Sequence, residues 1–176
     1  NDEISPGVFL LAVERLHDFV PGQTVKVGLG DDLPPRIYSI CSGNREDELR
    51  ILYNIKEGGA LTPQLARLNP GDEVFVSEPA GSFLGTADPA IWIATGTGIA
   101  PFYSMLRSGM AKDKVLIHGV RFANQFYFHD EWEAVLNGSY HRFCSGEEVA
   151  GIPRGRVNQY LEQHRSEEHT SELQSP

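Results

Sequence analysis

Apolar residues in the first half of the chain fall in short runs that alternate with polar residues, which is typical of half-buried strands. The expected strands are Val8–Val13, Thr24–Leu29, Arg36–Cys41, Leu49–Ile55 and Glu73–Ser77. One helical segment interrupts them, beginning at Thr62–Pro63 and ending before Asn69–Asp72. Strands that recur about every ten residues, with Gly and Pro turns between them, predict a small antiparallel β barrel.

The pattern changes near Ala87–Pro89, where apolar runs begin to alternate with amphipathic segments. Strands and helices are expected in alternation at Ile91–Ala94, after Pro101, at Lys114–His118, near Asn124–Leu136, at Tyr140–Cys144 and near Val157–Gln163. Such alternation predicts a parallel sheet with crossover helices. The expected fold class is therefore two-domain, with an antiparallel β barrel over residues 1–88 followed by an α/β domain over residues 89–164.

Composition excludes some classes of function. The net charge of −9 argues against general nucleic-acid binding, which requires a basic face. No apolar run approaches the roughly 18 residues of a membrane span, and no signal-peptide pattern is present, so a cytoplasmic location is expected. Cys41 and Cys144 are expected to be buried free thiols. The chain begins with Asn1, which leaves open whether a segment precedes it.

Two stretches carry residues suited to binding a nucleotide. Gly96–Pro101 lies between an apolar strand and a helix, an arrangement that directs backbone N–H groups at a phosphate. An ordinary strand-to-helix turn is the alternative. In the barrel half, Arg36 and Tyr38 share one face of a strand, and Ser39 faces the other unless the strand bends. Arginine can pair with phosphate and tyrosine offers a flat face to a ring system, although an edge strand with a core tyrosine remains open.

Taken in order along the chain, these motifs resemble the ferredoxin–NADP reductase family. The resemblance rests on Arg36–Ser42, on the pair Gly58–Gly59 with Thr62 after it, and on Gly96–Pro101, and it covers roughly residues 4–164. It extends to the related flavodoxin reductases and to reductase components of oxygenases. The resemblance implies that the barrel binds FAD and that the α/β domain binds NADP or NAD.

The family pattern implies residue roles at the flavin. Arg36 would contact the FAD pyrophosphate, whereas Tyr38 would stack on the isoalloxazine and Ser39 would lie near flavin N5. Tyr38 and Ser39 are therefore the expected catalytic residues. Backbone N–H groups and a hydroxyl would face the pyrophosphate from Gly59, Ala60, Leu61 and Thr62. Turn and helix-capping duty is the alternative for this segment.

The nicotinamide dinucleotide would be held in the second domain by Gly96, Thr97, Gly98 and Pro101. Arg121 is expected to serve its phosphates, with a solvated surface role as the alternative. Ser145 and Arg156 match family positions for the 2′-phosphate of NADP. Glycine follows Ser145 where many bacterial members have arginine, and Glu147 and Glu148 come next, which puts the preference in doubt. NADP remains the expected nucleotide, with NAD as the alternative.

The resemblance implies a flavin-dependent oxidoreductase. It would transfer hydride between NAD(P)H and FAD, and single electrons to or from ferredoxin or flavodoxin. One alternative is an NADH-dependent reductase component of an oxygenase, or a flavin reductase. Another is a non-catalytic module that binds a nucleotide or docks a carrier. No metal is expected, because the histidines lack the spacing of metal ligands.

The last residues differ from the rest. Arg165–Ser175 resembles the translation of a sequencing adapter, so residues 165–176 are expected to be an artefactual tail. The α/β domain would then be incomplete at its C-terminus, with weak nucleotide binding and an exposed sheet edge.

Overall fold

The computed structural model describes residues 1–30, 33–158 and 161–162 of the chain. The fold divides into two compact units. The first contains Asn1–Pro89 and Thr97–Asp113, and the second contains Ala90–Gly96 and the described residues from Lys114 onward. Residues 165–176 lie outside the described part. Of the helix expected near Val157–Gln163, residues 157, 158, 161 and 162 are described and are helical, and the others lie outside the described part.

The first unit is built from antiparallel strands in two sheets, ordered β1-β2-β5 and β4-β3-β6. The strands are β1 (Asp2–Ser5), β2 (Val8–Glu14), β3 (Thr24–Gly28), β4 (Arg36–Ser39), β5 (Glu48–Asn54) and β6 (Phe75–Val76). The two sheets meet where Ile40 bridges Ile51. Five of these strands were expected from the sequence. β1 was missed, because Asp2–Ser5 is mostly exposed and carries little apolar pattern.

Alternate residues of these strands form the core of the first unit. One buried cluster of this core consists of Leu11, Phe19, Val25, Val27, Ile40, Leu49, Ile51, Tyr53, Leu61 and Leu65. Leu65 comes from the single helical turn α1 (Thr62–Leu65). Thr62 was expected to cap this helix, but the cap residue is Leu61 and no side chain caps it. The Thr62 hydroxyl instead accepts a hydrogen bond from the backbone N–H of Lys56.

The second unit contains a parallel sheet in the order β7-β8-β9. Its elements are β7 (Ala90–Thr95), β8 (Lys114–Val120), α3 (His129–Leu136) and β9 (Tyr140–Cys144). Both tryptophans lie here: Trp92 of β7 meets Trp132 of α3 edge to face, with 6.4 Å between ring centroids. Ile117, Phe143 and Val157 form a further buried cluster. The prediction of antiparallel sheets followed by a parallel-sheet α/β unit is confirmed.

Helix α2 (Ala100–Arg107) packs on the first unit, although it follows β7 in the chain. The Ser104 hydroxyl donates to the Ser42 carbonyl at 2.7 Å, and Arg107 Nε donates to Glu46 Oε1 at 2.7 Å. Gly43 lies so close to the helix that a Cβ there would stand 2.7 Å from the Arg107 carbonyl oxygen. The domain boundary expected at residues 88–89 was placed where the pattern of apolar residues changes. That pattern carries no information about the packing of α2.

Cys41 and Cys144 are buried free thiols, as expected. Over the described residues, no helix is both long enough and apolar enough to cross a bilayer.

Close packing at Gly119 makes it sensitive to substitution. A Cβ at this position would collide with the Val157 side chain. Gly119→Ala is therefore expected to destabilise the second unit by about 1–3 kcal/mol through overpacking. Gly138→Ala is the matched control, because a Cβ there meets nothing within 4 Å. Urea unfolding followed by tryptophan fluorescence reports on this unit, and equal midpoints for the two variants would contradict the expected packing.

Candidate functional site

A cleft of about 670 Å³ opens in the first unit and gathers residues from two separate stretches. From β4 and the segment before it come Leu33, Pro34, Arg36 and Tyr38. From the turn that leads into α1 come Lys56, Gly58, Gly59, Ala60, Leu61 and Thr62. Arg36, Tyr38 and the whole predicted Gly59–Thr62 segment are thus brought together. Ser39 is not among the lining residues; it is half-buried on β4 and pairs with Thr24.

Strand alternation places the first two predicted side chains side by side. Arg36 and Tyr38 lie two residues apart on β4, so both point to one face of the sheet. Tyr38 is half-buried, with its ring edge to face against Tyr53 at 6.3 Å between centroids. Burial raises the pKa of the Tyr38 hydroxyl and the nearby Arg36 guanidinium opposes this, so the phenol stays protonated at neutral pH. The arrangement offers an uncharged aromatic ring beside a guanidinium.

Hydrogen bonds hold the opposite wall of the cleft. The Lys56 N–H donates to Thr62 Oγ1 at 2.9 Å, and the Gly59 N–H donates to the Lys56 carbonyl at 2.8 Å. The N–H groups of Ala60, Leu61 and Thr62 have no acceptor among the described residues. Helix α1 has only four residues, so these N–H groups, rather than a helix dipole, would bind an anion here.

Lys56 was missed in the sequence analysis, as were Leu33 and Pro34. Lys56 is an exposed lysine beside a glycine turn, a pattern that also fits an ordinary solvated side chain. The structure makes it part of the cleft wall. Among the described residues, the lining contains Arg36 and Lys56 but no carboxylate, although the chain as a whole carries a net charge of −9.

In the second unit, predicted residues follow directly after the parallel strands. Gly96 follows β7, Arg121 follows β8 and Ser145 follows β9, so all three lie at the carboxyl edge of the sheet. Arg154 forms a β-bridge with Cys144 at the end of β9, and Arg156 follows shortly after it in the chain. Ligands of open α/β sheets bind at this edge.

Several hydrogen bonds hold the backbone of Arg121. Its N–H donates to the side-chain oxygen of Gln125 at 3.1 Å. Its carbonyl accepts from the Gly146 N–H at 2.7 Å and from the Cys144 thiol at 3.2 Å. The exposed guanidinium lies over the Phe122 ring, 5.2 Å from its centroid. The Ser145 hydroxyl donates to the Val120 carbonyl at 3.2 Å, so an incoming phosphate would compete with that carbonyl for the hydroxyl group.

Both carboxylates that put the NADP preference in doubt have partners within the chain. Glu147 accepts a hydrogen bond from the Ala123 N–H, at the start of the 3-10 turn Ala123–Gln125. Glu148 forms an ion pair with Arg154 at 3.1 Å. Both remain exposed, so their charges still act on a ligand nearby.

The glycine loop begins with a residue that requires glycine. Gly96 has a φ of +51°, a left-handed conformation that side chains with a Cβ rarely adopt. Residues Gly96–Ile99 form a 3-10 turn that leads into α2, with Pro101 at the second helical position. A Cβ on Gly98 would meet no protein atom within 4 Å. The protein's own packing therefore does not demand glycine at position 98.

A buried polar cluster lies on β8 and β9, apart from the predicted residues. His118 is fully buried, and its Nδ1 shares a hydrogen bond of 3.1 Å with the Tyr140 hydroxyl. Its Nε2 has no partner among the described residues. Burial, together with the nearby His129, lowers the pKa of His118 to about 3. The described residues contain no group of His, Cys, Asp and Glu side chains suited to holding a metal.

The sequence matches a family model described as the oxidoreductase NAD-binding domain over residues 92–173. It is 37% identical over 121 residues to a ferredoxin–NADP reductase of Azotobacter vinelandii, covering 62% of this chain and 47% of that protein. It is 34% identical over 160 residues to the flavodoxin/ferredoxin–NADP reductase of Escherichia coli (strain K12), covering 82% of this chain and 64% of that protein.

The fold is similar to the crystal structure of a ferredoxin NADP⁺ reductase from Neisseria gonorrhoeae with bound FAD and NADP. The TM-score is 0.82 at 23% identity, covering 94% of this chain and 74% of that one. The chain spans between about half and two thirds of the length of these curated relatives. In sequence the chain is thus similar to ferredoxin/flavodoxin–NADP reductases, and its fold agrees with this similarity.

Proposed function

We propose that this chain is part of a flavin-dependent oxidoreductase that transfers hydride between NAD(P)H and FAD and exchanges single electrons with a ferredoxin or flavodoxin. The observation that carries the proposal is the cleft in which Arg36, Tyr38 and the Gly59–Thr62 turn meet. Relatives named as ferredoxin–NADP reductases support it.

The cleft fits the chemical groups of FAD. Its volume of about 670 Å³ is within the usual range of roughly 300–1,000 Å³ for ligand pockets. In the part of the chain that the structure describes, the lining combines an aromatic ring, two cations and backbone N–H groups without acceptors, and it contains no carboxylate. These features suit a flat ring system joined to a pyrophosphate. When bound, the flavin supplies the redox chemistry, accepting hydride and passing on electrons singly.

The protein's own residues bind and orient. Arg36 would pair with the pyrophosphate, and Ala60, Leu61 and Thr62 would donate backbone N–H groups to it. Tyr38 would present its ring face to the isoalloxazine and restrict water there. Ser39, on the same strand, remains the proposed hydrogen-bonding residue near N5.

For the nicotinamide nucleotide we retain NADP ahead of NAD. The basic side chains after β8 and near the end of β9, Arg121 and Arg156, favour a phosphate-bearing ligand. The ion pair of Glu148 with Arg154 offsets part of the negative charge that argued against NADP. Gly96, Thr97, Gly98 and Pro101 would approach the pyrophosphate of the nucleotide, with Ser145 beside Arg121.

Other assignments stay predictions. They are the domain ranges 1–88 and 89–164, the cytoplasmic location and the artefactual origin of residues 165–176. An oxygenase reductase component or flavin reductase is the remaining enzymatic alternative. It would favour NADH as the electron donor over NADPH.

Gly98 offers a direct test of the nucleotide loop. Because a Cβ there has free space in the protein, Gly98→Ala is expected to leave stability unchanged. If a pyrophosphate approaches this backbone, the added methyl group should weaken NADPH binding by roughly tenfold. Thermal melting and a binding titration with NADPH measure the two effects. Unchanged affinity would remove the loop from the nucleotide site.

The proposed activity is tested by NADPH-dependent reduction of a ferredoxin or flavodoxin, with and without added FAD. The expected result is electron transfer that requires FAD and is faster with NADPH than with NADH. Preference for NADH would favour the oxygenase-component alternative. Binding of FAD and nucleotide without turnover would favour the non-catalytic module.

A further inference from the structure

The cleft in the first unit contains two cations that no carboxylate of the described residues neutralises. Arg36 and Lys56 both line it, and neither has an ion-pair partner among the described residues. Elsewhere in the chain, arginines pair with carboxylates at Arg15, Arg50, Arg107, Arg142 and Arg154. In an acidic protein, two such cations in one cleft indicate a ligand with more than one negative charge.

The backbone and stem of Lys56 are fixed in the cleft wall. Its N–H and carbonyl are both engaged within the turn, by Thr62 Oγ1 and the Gly59 N–H. The stem lies against Gly59, where an added Cβ would be 3.1 Å from Lys56 Cβ and 3.5 Å from its Cγ. Glycine at position 59 therefore lets the lysine stem follow the wall beside the N–H groups of Ala60–Thr62.

We infer that Lys56 is a second phosphate-binding cation and makes the cleft selective for flavins that carry a diphosphate. This inference rests on the proposed function. A diphosphate linkage carries two negative charges, and the Arg36 guanidinium compensates one of them. Lys56, held in the turn before α1, compensates the other. Riboflavin has no phosphate, so its binding does not depend on Lys56.

Titrations of FAD and riboflavin, followed by flavin fluorescence, test this without measuring turnover. Lys56→Ala should weaken FAD binding by about tenfold, reduce its salt dependence and leave riboflavin binding unchanged. Lys56→Arg should keep most of the FAD affinity. Lys26→Ala is the matched control, because exposed Lys26 pairs with Ile37, on the face of the sheet opposite Arg36 and Tyr38.

Equal losses for FAD and riboflavin in Lys56→Ala would overturn the inference, since they would show a structural role for the turn. So would FAD affinity equal to that of Lys26→Ala. A wild-type chain that binds neither flavin would overturn the proposed function itself. The two failures are therefore distinguishable.

Discussion

Replacing Arg36 by alanine is expected to weaken FAD binding by about ten- to a hundredfold, the cost of losing a charge-assisted hydrogen-bonded pair. Arg36 lines the cleft beside Tyr38 and has no carboxylate partner among the described residues, so no ion pair within the protein has to be broken when phosphate binds. The exposed guanidinium contributes little to the core. The Arg36→Ala variant should therefore fold normally, and its circular dichroism and melting temperature should match the wild type.

Arg36→Lys separates charge from geometry. Lysine keeps the positive charge but cannot form the bidentate pair, so its FAD affinity should fall between those of the wild type and Arg36→Ala. Riboflavin binding should change little in either variant. An Arg36→Ala protein that binds FAD as tightly as the wild type would remove the pyrophosphate from this part of the cleft.

The second large effect is acid destabilisation of the second unit through His118. Its pKa is lowered to about 3 by burial and by His129, whereas an unfolded histidine titrates near 6.5. The unfolded state therefore binds the proton first as pH falls. The contribution of neutral His118 to the free energy of unfolding is fully present above about pH 6.5. Below that pH it is lost by roughly 1.4 kcal/mol per pH unit, until the pH approaches the folded pKa. The His118 ring contacts Tyr140 and Phe126, and no carboxylate of the described residues is hydrogen-bonded to it.

Urea unfolding at several pH values measures this loss. Both tryptophans, Trp92 and Trp132, belong to the second unit, so fluorescence follows the unit that contains His118. His118→Gln should flatten the dependence of the free energy of unfolding on pH between about 6.5 and 4. His17→Gln makes the same change at an exposed site in the first unit and should leave the slope unchanged. Equal slopes for both variants would show that carboxylates alone cause the acid sensitivity.

Local patterns predicted most of the elements, because burial on one face leaves a period in the sequence. Val25 and Val27 are buried while Lys26 between them is exposed, and this alternation identified β3. Parallel strands β7 to β9 followed from apolar runs separated by helical segments. Contacts between distant residues leave no such period. The packing of α2 on the first unit includes the hydrogen bond between Ser104 and Ser42, which are 62 residues apart in the chain.

The same distinction applies to the candidate site. Arg36 and Tyr38 could be predicted, because the stretch Arg36–Ser42 resembles a family motif and strand alternation places both side chains on one face. Lys56 could not, since only the fold brings the turn before α1 opposite β4. The partners of Glu147 and Glu148 were equally hidden: one carboxylate meets a backbone N–H 24 residues away in the chain, and the other meets Arg154.

In the proposed function, the cleft of the first unit binds FAD, and NADPH reduces the flavin bound there. Its most direct test is anaerobic addition of NADPH to the purified complex of this chain with FAD, followed by flavin absorption. We expect one FAD per chain and loss of the oxidised flavin band when NADPH is added, with a slower loss when NADH is added instead. Failure to retain FAD, or bound FAD whose absorption neither nucleotide changes, would contradict it.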